Sequence, residues 1–239
     1  MSENFKLTND CIILATPMVL FFIFLQLYLQ VSEVHLSAIL SYIAFFITIW
    51  IGLSGSFAGW FYMVKKTLQF SKKTFLFDTD RLTALSKLFL CIFKGIGKFF
   101  LPFLGFTAII FIFQVIKGVF ILYIYNSQLE PFFETLNIIS NIIAFVLAYW
   151  IIYWIPEIVY TYTNPFKSLV NSVKKAFISF RQSYIYYLFI VAGCLFLHFT
   201  IQEMKMYPIV YFLELLLFYY FILYSVITVF RLYEKNFIE

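Results

Sequence analysis

Six long apolar stretches constrain what this chain can fold into more than any other feature. They cover residues 11–30, 36–64, 99–125, 136–160, 183–201 and 207–230. Each approaches or exceeds the roughly 20 residues that a helix needs to cross a hydrocarbon core of about 30 Å. Backbone groups in hydrocarbon must bond within their own segment, and these runs do not alternate as barrel strands do. We therefore predict an all-α fold, with six transmembrane helices in a single membrane domain over residues 1–239.

The composition supports this interpretation. Hydrophobic residues form 63% of the chain and charged residues 12%, whereas soluble domains are about 45–50% apolar and about 25% charged. Too few charges are present to coat a soluble globular surface. The three cysteines, Cys11, Cys91 and Cys194, are widely spaced and suggest neither a disulfide framework nor a zinc site. We expect no metal, no cofactor and no nucleic-acid partner.

Lysine and arginine are distributed unequally between the predicted loops. If the N-terminus is cytoplasmic, all of the 17 basic residues except Lys117 and Lys205 fall on the cytoplasmic side. Membrane proteins retain basic residues on that side of the bilayer. We therefore predict a multi-pass protein of a bacterial cell membrane, with both termini in the cytoplasm.

The two long cytoplasmic loops each contain a predicted amphipathic helix, at residues 80–96 and 165–181. Asp80 and Asn164 are the expected N-caps, and Pro165 suits a first helical position. Apolar residues recur at three- and four-residue steps, with basic residues on the other sides. Such helices lie in the membrane interface, apolar side toward lipid and basic side toward phosphates. The candidate headgroup contacts are Arg81, Lys87, Lys94, Lys167, Lys174, Lys175 and Arg181.

The two loops resemble each other. Sliding the first onto the second pairs Ala84 and Leu85 with Ser168 and Leu169, and Phe93 with Phe177. The spans that follow then fall into step. A parallel internal repeat of span, basic helix and span would explain this match, and chance similarity within a low-complexity composition is the alternative.

The segment 154–187 resembles a known group of bacterial membrane proteins. A span ends near Pro156 and Glu157, Asn164-Pro165 follows, and a helix carries the run 168–172 and then Lys174-Lys175. This pattern resembles the six-span membrane domain of the glycerophosphodiester phosphodiesterase type and its stand-alone relatives. The resemblance implies a six-helix fold and an accessory role in the membrane, and it brings no catalytic residues. The soluble phosphodiesterase domain of some relatives is missing here, so we do not expect that activity.

One short motif is typical of an intramembrane serine protease. Residues 52–55 read G-x-S-G, but the candidate base His198 is predicted at a different depth from Ser54. We favour a structural interpretation, in which small residues allow close packing of helices. The residues of this predicted packing face are Gly52, Gly55, Ser56 and Gly59.

Ionisable residues inside spans are costly to bury and are therefore candidates for function. Glu214 is predicted to lie in the outer part of its span, where it would pair with Lys117 or His198. The full candidate cluster is Glu214, Lys117, Gln114, His198 and Gln26. The alternative is that these residues play separate structural roles. Glu157, near the opposite interface, is predicted to cap a helix or to pair with Lys174, Lys175 or Arg181.

Two functional hypotheses follow. The first is a non-enzymatic, membrane-organising or accessory protein whose basic helices bind anionic headgroups of membrane lipids, or a partner. That partner is either another membrane protein or a second copy of the chain. The second is a small transporter or substrate-binding membrane subunit that uses the outer polar cluster.

Overall fold

The computed structural model describes residues 2–10, 39–71, 81–125, 133–161, 164–203 and 208–239. These residues are almost entirely helical, and no strand occurs among them. The helices are α1 (Ser2–Asp10), α2 (Ile39–Ser71), α3 (Arg81–Tyr125), α4 (Phe133–Trp150), α5 (Trp154–Thr161), α6 (Pro165–Ile178), α7 (Phe180–Glu203) and α8 (Pro208–Phe237).

Five helical segments are long and apolar enough to cross a membrane. They are Phe45–Gln69, Ser86–Tyr123, Ile138–Thr161, Phe180–Ile201 and Ile209–Phe237. They correspond to the last five of the six predicted spans. The first predicted span, 11–30, lies outside the described residues. The all-α, multi-helix architecture is therefore confirmed for the part of the chain that the structure covers.

The first loop helix is not a separate element. Residues 81–125 form one helix, α3, so the predicted boundary between a helix at 80–96 and a span at 99–125 is wrong. Gly95, which lies at the expected junction, is instead where α3 packs most closely on α2. A Cβ at this position would lie 2.8 Å from the Ala58 carbonyl oxygen and 3.0 Å from the Gly59 Cα. The close packing against α2 thus accompanies a continuous helix at a position where glycine on its own disfavours helical backbone. The expected cap Asp80 lies outside the described residues.

The predicted span at 136–160 is broken near its C-terminal end. A turn at 151–153 separates α4 from α5. Pro156 lacks an N–H group and cannot bond the carbonyl one turn earlier, which favours a break there. The Trp154 N–H bonds the Ile151 carbonyl (2.9 Å), and the Ser172 hydroxyl of α6 donates to the Trp150 carbonyl (3.2 Å). A side chain of the loop helix therefore satisfies a backbone group at the break, as membrane interiors require.

The start of α6 agrees with the prediction. The Asn164 side chain caps the helix by accepting from the Phe166 N–H (3.0 Å), and Pro165 occupies the first turn. The Trp154 indole donates to the Pro165 carbonyl (2.9 Å), and the Pro165 ring lies against Gly105 of α3. The helix ends at Ile178, earlier than the predicted residue 181, and α7 begins directly after Ser179. The two loops of the predicted repeat therefore differ, because the first loop helix is continuous with its span and the second is not.

The described bundle is packed most densely in its predicted cytoplasmic half. Trp154, Tyr153, Tyr233, Phe99 and Phe103 are its largest fully buried side chains. The predicted outer halves of α3, α4, α7 and α8 expose large apolar side chains instead, as helices facing hydrocarbon do. Only this densely packed half of the described bundle therefore buries side chains closely enough to hold a fixed binding site.

Candidate functional site

A buried ionic network joins three helices in the densely packed half of the bundle. The Glu157 carboxylate of α5, whose side chain is 2% exposed, lies 2.6 Å from the Lys175 Nζ of α6. The Tyr233 hydroxyl of α8 donates to the same carboxylate oxygen (2.5 Å), and Lys175 also donates to that hydroxyl (2.6 Å). The Asn171 amide of α6 donates to the other carboxylate oxygen (3.0 Å). Both oxygens of Glu157 are thus compensated, which a buried charge requires.

A second carboxylate lies close to this network. Glu234, 5% exposed, accepts a short hydrogen bond from the Tyr160 hydroxyl of α5. The rings of Tyr160 and Tyr233 stack with centroids 5.3 Å apart. Lys65 of α2 lies over the Tyr160 ring, 4.4 Å from its centroid, and donates to the Val159 carbonyl (2.9 Å). The two networks together attach α2, α6 and α8 to the short helix α5.

The network sets the orientation of α6. Its docked side consists of Ser168, Ser172 and Ala176, all fully buried, with Asn171 and Lys175 beside them. The apolar side chains Phe166, Val170 and Phe177 are 64%, 54% and 58% exposed. Lys167 and Lys174 form an exposed basic edge, and Arg181 is exposed just beyond the helix end. Leu169 packs against the core, but these three apolar side chains do not, which is unusual for a helix in water and typical of one in a membrane interface.

The predicted headgroup contacts fall into three groups. Lys167, Lys174 and Arg181 are exposed on or beside α6, and Lys87 and Lys94 are exposed on α3. Lys175 is instead bonded within the protein, to Glu157 and Tyr233. The side chain of Arg81 lies outside the described part of the structure. Of the three partners that the sequence offered Glu157, the structure selects Lys175.

The predicted outer polar cluster does not assemble among the described residues. Lys117 donates to Asn141 of α4 (3.3 Å) and is not within ion-pair distance of Glu214. Gln114 is exposed. One carboxylate oxygen of Glu214 is buried, and no described residue bonds it. Gln26 and the side chain of His198 lie outside the described part of the chain.

The serine of the G-x-S-G motif serves helix packing. The Ser54 hydroxyl, fully buried, lies 2.7 Å from the Thr107 hydroxyl of α3 and donates to the Trp50 carbonyl (2.7 Å). The Trp50 indole also donates to Thr107 (2.9 Å). These bonds hold α2 against α3, a common use of hydroxyl side chains between membrane helices.

The predicted small-residue face contributes unequally to this packing. A Cβ at Gly59 would lie 2.6 Å from the Ile92 side chain, so α3 approaches closely there. A Cβ at Gly55 would meet nothing within 4 Å. Gly52 and Ser56 are half-buried. The closest approach also uses Gly95, which the sequence reading missed because it lay at a predicted helix junction.

Asn171 and Tyr233 of the ionic network, and Tyr160 of the neighbouring Glu234 network, are among the residues that the sequence did not indicate as site residues. Asn171 and Tyr233 carry no motif, and Tyr233 is far from Glu157 in sequence. Tyr160 lies at the end of a predicted span, where a tyrosine is usually an interface anchor. These residues can be recognised as site residues only from the folded structure, because only the fold brings their side chains next to Glu157 and Glu234.

The comparisons with known proteins leave the resemblance of segment 154–187 to the phosphodiesterase-type membrane domain as a prediction from the quoted residues. No protein-family model matches this chain, and no curated protein or solved structure is significantly similar to it.

Proposed function

We propose that the protein is a non-enzymatic, multi-pass protein of the cell membrane that binds anionic lipid headgroups on its cytoplasmic side. Both termini are cytoplasmic in this proposal, and residues 11–30 supply a sixth span. Its role is to organise lipid or to serve as an accessory to another membrane component. The observation that carries the proposal is the three-sided character of α6: one side docked, one side apolar and exposed, and one edge basic and exposed.

The docked side supports this assignment because it fixes how the other two sides point. The Glu157–Lys175 ion pair and the Ser172–Trp150 bond prevent α6 from turning its apolar stripe inward. With that stripe in the acyl region, Lys167, Lys174 and Arg181 lie near the headgroup phosphates. Each basic residue near an anionic surface contributes about 1 kcal/mol to the attraction.

Lipid retention tests the proposal directly. The purified protein is titrated in detergent with phosphatidylglycerol or phosphatidylcholine, and bound lipids are counted by native mass spectrometry. We expect a preference for phosphatidylglycerol that weakens with salt. Substituting Lys167→Gln, Lys174→Gln and Arg181→Gln together should weaken phosphatidylglycerol binding up to roughly 100-fold, since each tenfold corresponds to about 1.4 kcal/mol.

The matched control is Lys117→Gln, which removes one charge from the predicted outer side and should leave the preference unchanged. Equal binding of both lipids by the unsubstituted protein would refute the proposal. So would an unchanged preference in the triple variant.

A further inference from the structure

An apolar cavity that is largely open to its surroundings lies between α2, α5, α7 and α8. Its volume is about 230 Å³. The wall is formed by aromatic and branched aliphatic side chains. Those that define its shape are Phe61, Ile155, Ile190, Val226, Val229 and Phe230. All of them belong to segments that are apolar enough to cross the membrane.

Two well-defined contacts lie about one helical turn before and one helical turn after the cavity-lining residues of α8. At one end Phe221 packs on Gly193 of α7 so closely that a Cβ there would lie 2.2 Å from the ring. At the other end the Tyr233 ring is held by its bonds to Glu157 and Lys175. Helices α7 and α8 therefore touch at Gly193, and Tyr233 of α8 is fixed to α5 and α6.

The polar side chains in the wall are already bonded within the protein. The Ser225 hydroxyl donates to the Phe221 carbonyl (2.8 Å), and the Tyr187 hydroxyl donates to the Phe145 carbonyl (2.6 Å). A water molecule needs two to four polar partners to be held in place, and this wall offers few of them. This wall thus favours an apolar occupant over water or a polar solute.

We infer that this cavity binds a segment of one lipid acyl chain. The surrounding helices expose large apolar side chains along their lengths, so the medium they are suited to contact is hydrocarbon. Acyl chains are the hydrocarbon that a membrane supplies. The inference goes beyond headgroup binding by α6, because the cavity is lined here by Ile152 of the turn and by Ile155 and Pro156 of α5, and not by Glu157, which bonds α6.

Photo-crosslinking identifies the occupant. The protein is reconstituted in nanodiscs containing a phospholipid with a diazirine in one acyl chain, irradiated and digested, and the labelled peptides are mapped by mass spectrometry. We expect labelling in residues 225–230 that remains when the sample is dissolved and washed extensively with detergent before irradiation. The Val229→Phe variant fills the cavity and should reduce this labelling at least ten-fold.

Two further variants keep the test decisive. Val119→Phe makes the same change on a 60% exposed site of α3 and should leave the labelling of 225–230 unchanged. Val226→Met fills the cavity less and should give an intermediate loss if Val229→Phe does not fold. Detergent-resistant labelling that is absent, or that is equal in the folded filling variants and the unsubstituted protein, would overturn the inference.

The α6 triple variant distinguishes a failure of the headgroup proposal from a failure of the cavity proposal. Loss of the phosphatidylglycerol preference in the α6 triple variant, with labelling of 225–230 intact, supports the cavity as a distinct site. Loss of that labelling in the α6 variant would show that the chain is held through α6, which overturns an independent cavity site.

Discussion

At the scale of single residues, the stability of the buried Glu157 carboxylate depends on which side chains replace the water molecules that would otherwise solvate it. A buried carboxylate is tolerated only with a close counter-charge and with both oxygens bonded. The sequence predicted a basic partner for Glu157 but did not indicate whether this partner is Lys174, Lys175 or Arg181. The fold does, because Lys175 lies on the docked side of α6 with Ser172 and Ala176, whereas Lys174 lies on the exposed edge.

Removing the counter-charge should destabilise the protein. We expect Lys175→Met to lower the free energy of unfolding by about 3 kcal/mol, because it leaves the Glu157 carboxylate buried without its cation. Equilibrium unfolding in mixed micelles provides the measurement. Lys174→Met, the adjacent exposed lysine, is the control and should change stability by less than about 0.5 kcal/mol.

The double variant completes the cycle. Adding Glu157→Gln to Lys175→Met removes the unpaired charge and should restore part of the loss, since contacting residues are not additive. A double variant that is as unstable as the sum of the two single variants would contradict the ion pair as the source of the effect.

At the scale of helices, the long antiparallel pair α2–α3 shows where sequence reading succeeded and failed. The small residues of α2 correctly suggested close packing, and Gly59 lies at the contact. The partner Gly95 was placed at the end of a loop helix, because charge and apolar spacing changed there. The local sequence does not distinguish a glycine that ends a helix from a glycine that allows a second helix to pack closely. The continuity of α3 could therefore not be predicted.

The glycines of this pair make a graded prediction. Gly95→Ala should destabilise the protein by about 1–3 kcal/mol, because the new methyl group meets the Ala58 carbonyl oxygen at 2.8 Å. Gly55→Ala has open space around it and should be neutral or stabilising by up to about 1 kcal/mol, through its better helix propensity. Unfolding in mixed micelles checks both, and the reverse order would show that α2 and α3 do not pack as described.

At the scale of the whole molecule, the type of the helices and their approximate positions were easier to predict than the boundaries between them. Hydrophobic length alone gave five of the segments that the structure shows. The break at 151–153 was missed because its residues are as apolar as the rest of the span. Pro156 was the available signal, but proline is common in membrane helices and does not by itself specify a break.

The predicted orientation is testable in cells. In a variant without its natural cysteines, single cysteines are introduced as Lys174→Cys, Lys235→Cys and Ser127→Cys. A membrane-impermeant maleimide should label Ser127→Cys in intact cells and the other two only after permeabilisation, because basic segments remain cytoplasmic. Labelling of Lys174→Cys in intact cells would reverse the assignment.

The length of α3 limits how the protein can sit in a bilayer. Its 45 residues extend about 67 Å at 1.5 Å per residue, more than twice a hydrocarbon thickness of about 30 Å. Even at a tilt of about 40°, roughly 26 residues suffice to cross, and about 19 remain outside the acyl region. A steep, straight α3 therefore holds Arg81 far from the phosphates and within reach of soluble molecules. Contact of both Arg81 and Lys87 with headgroups requires the opposite geometry, a helix that bends or reclines toward the bilayer surface.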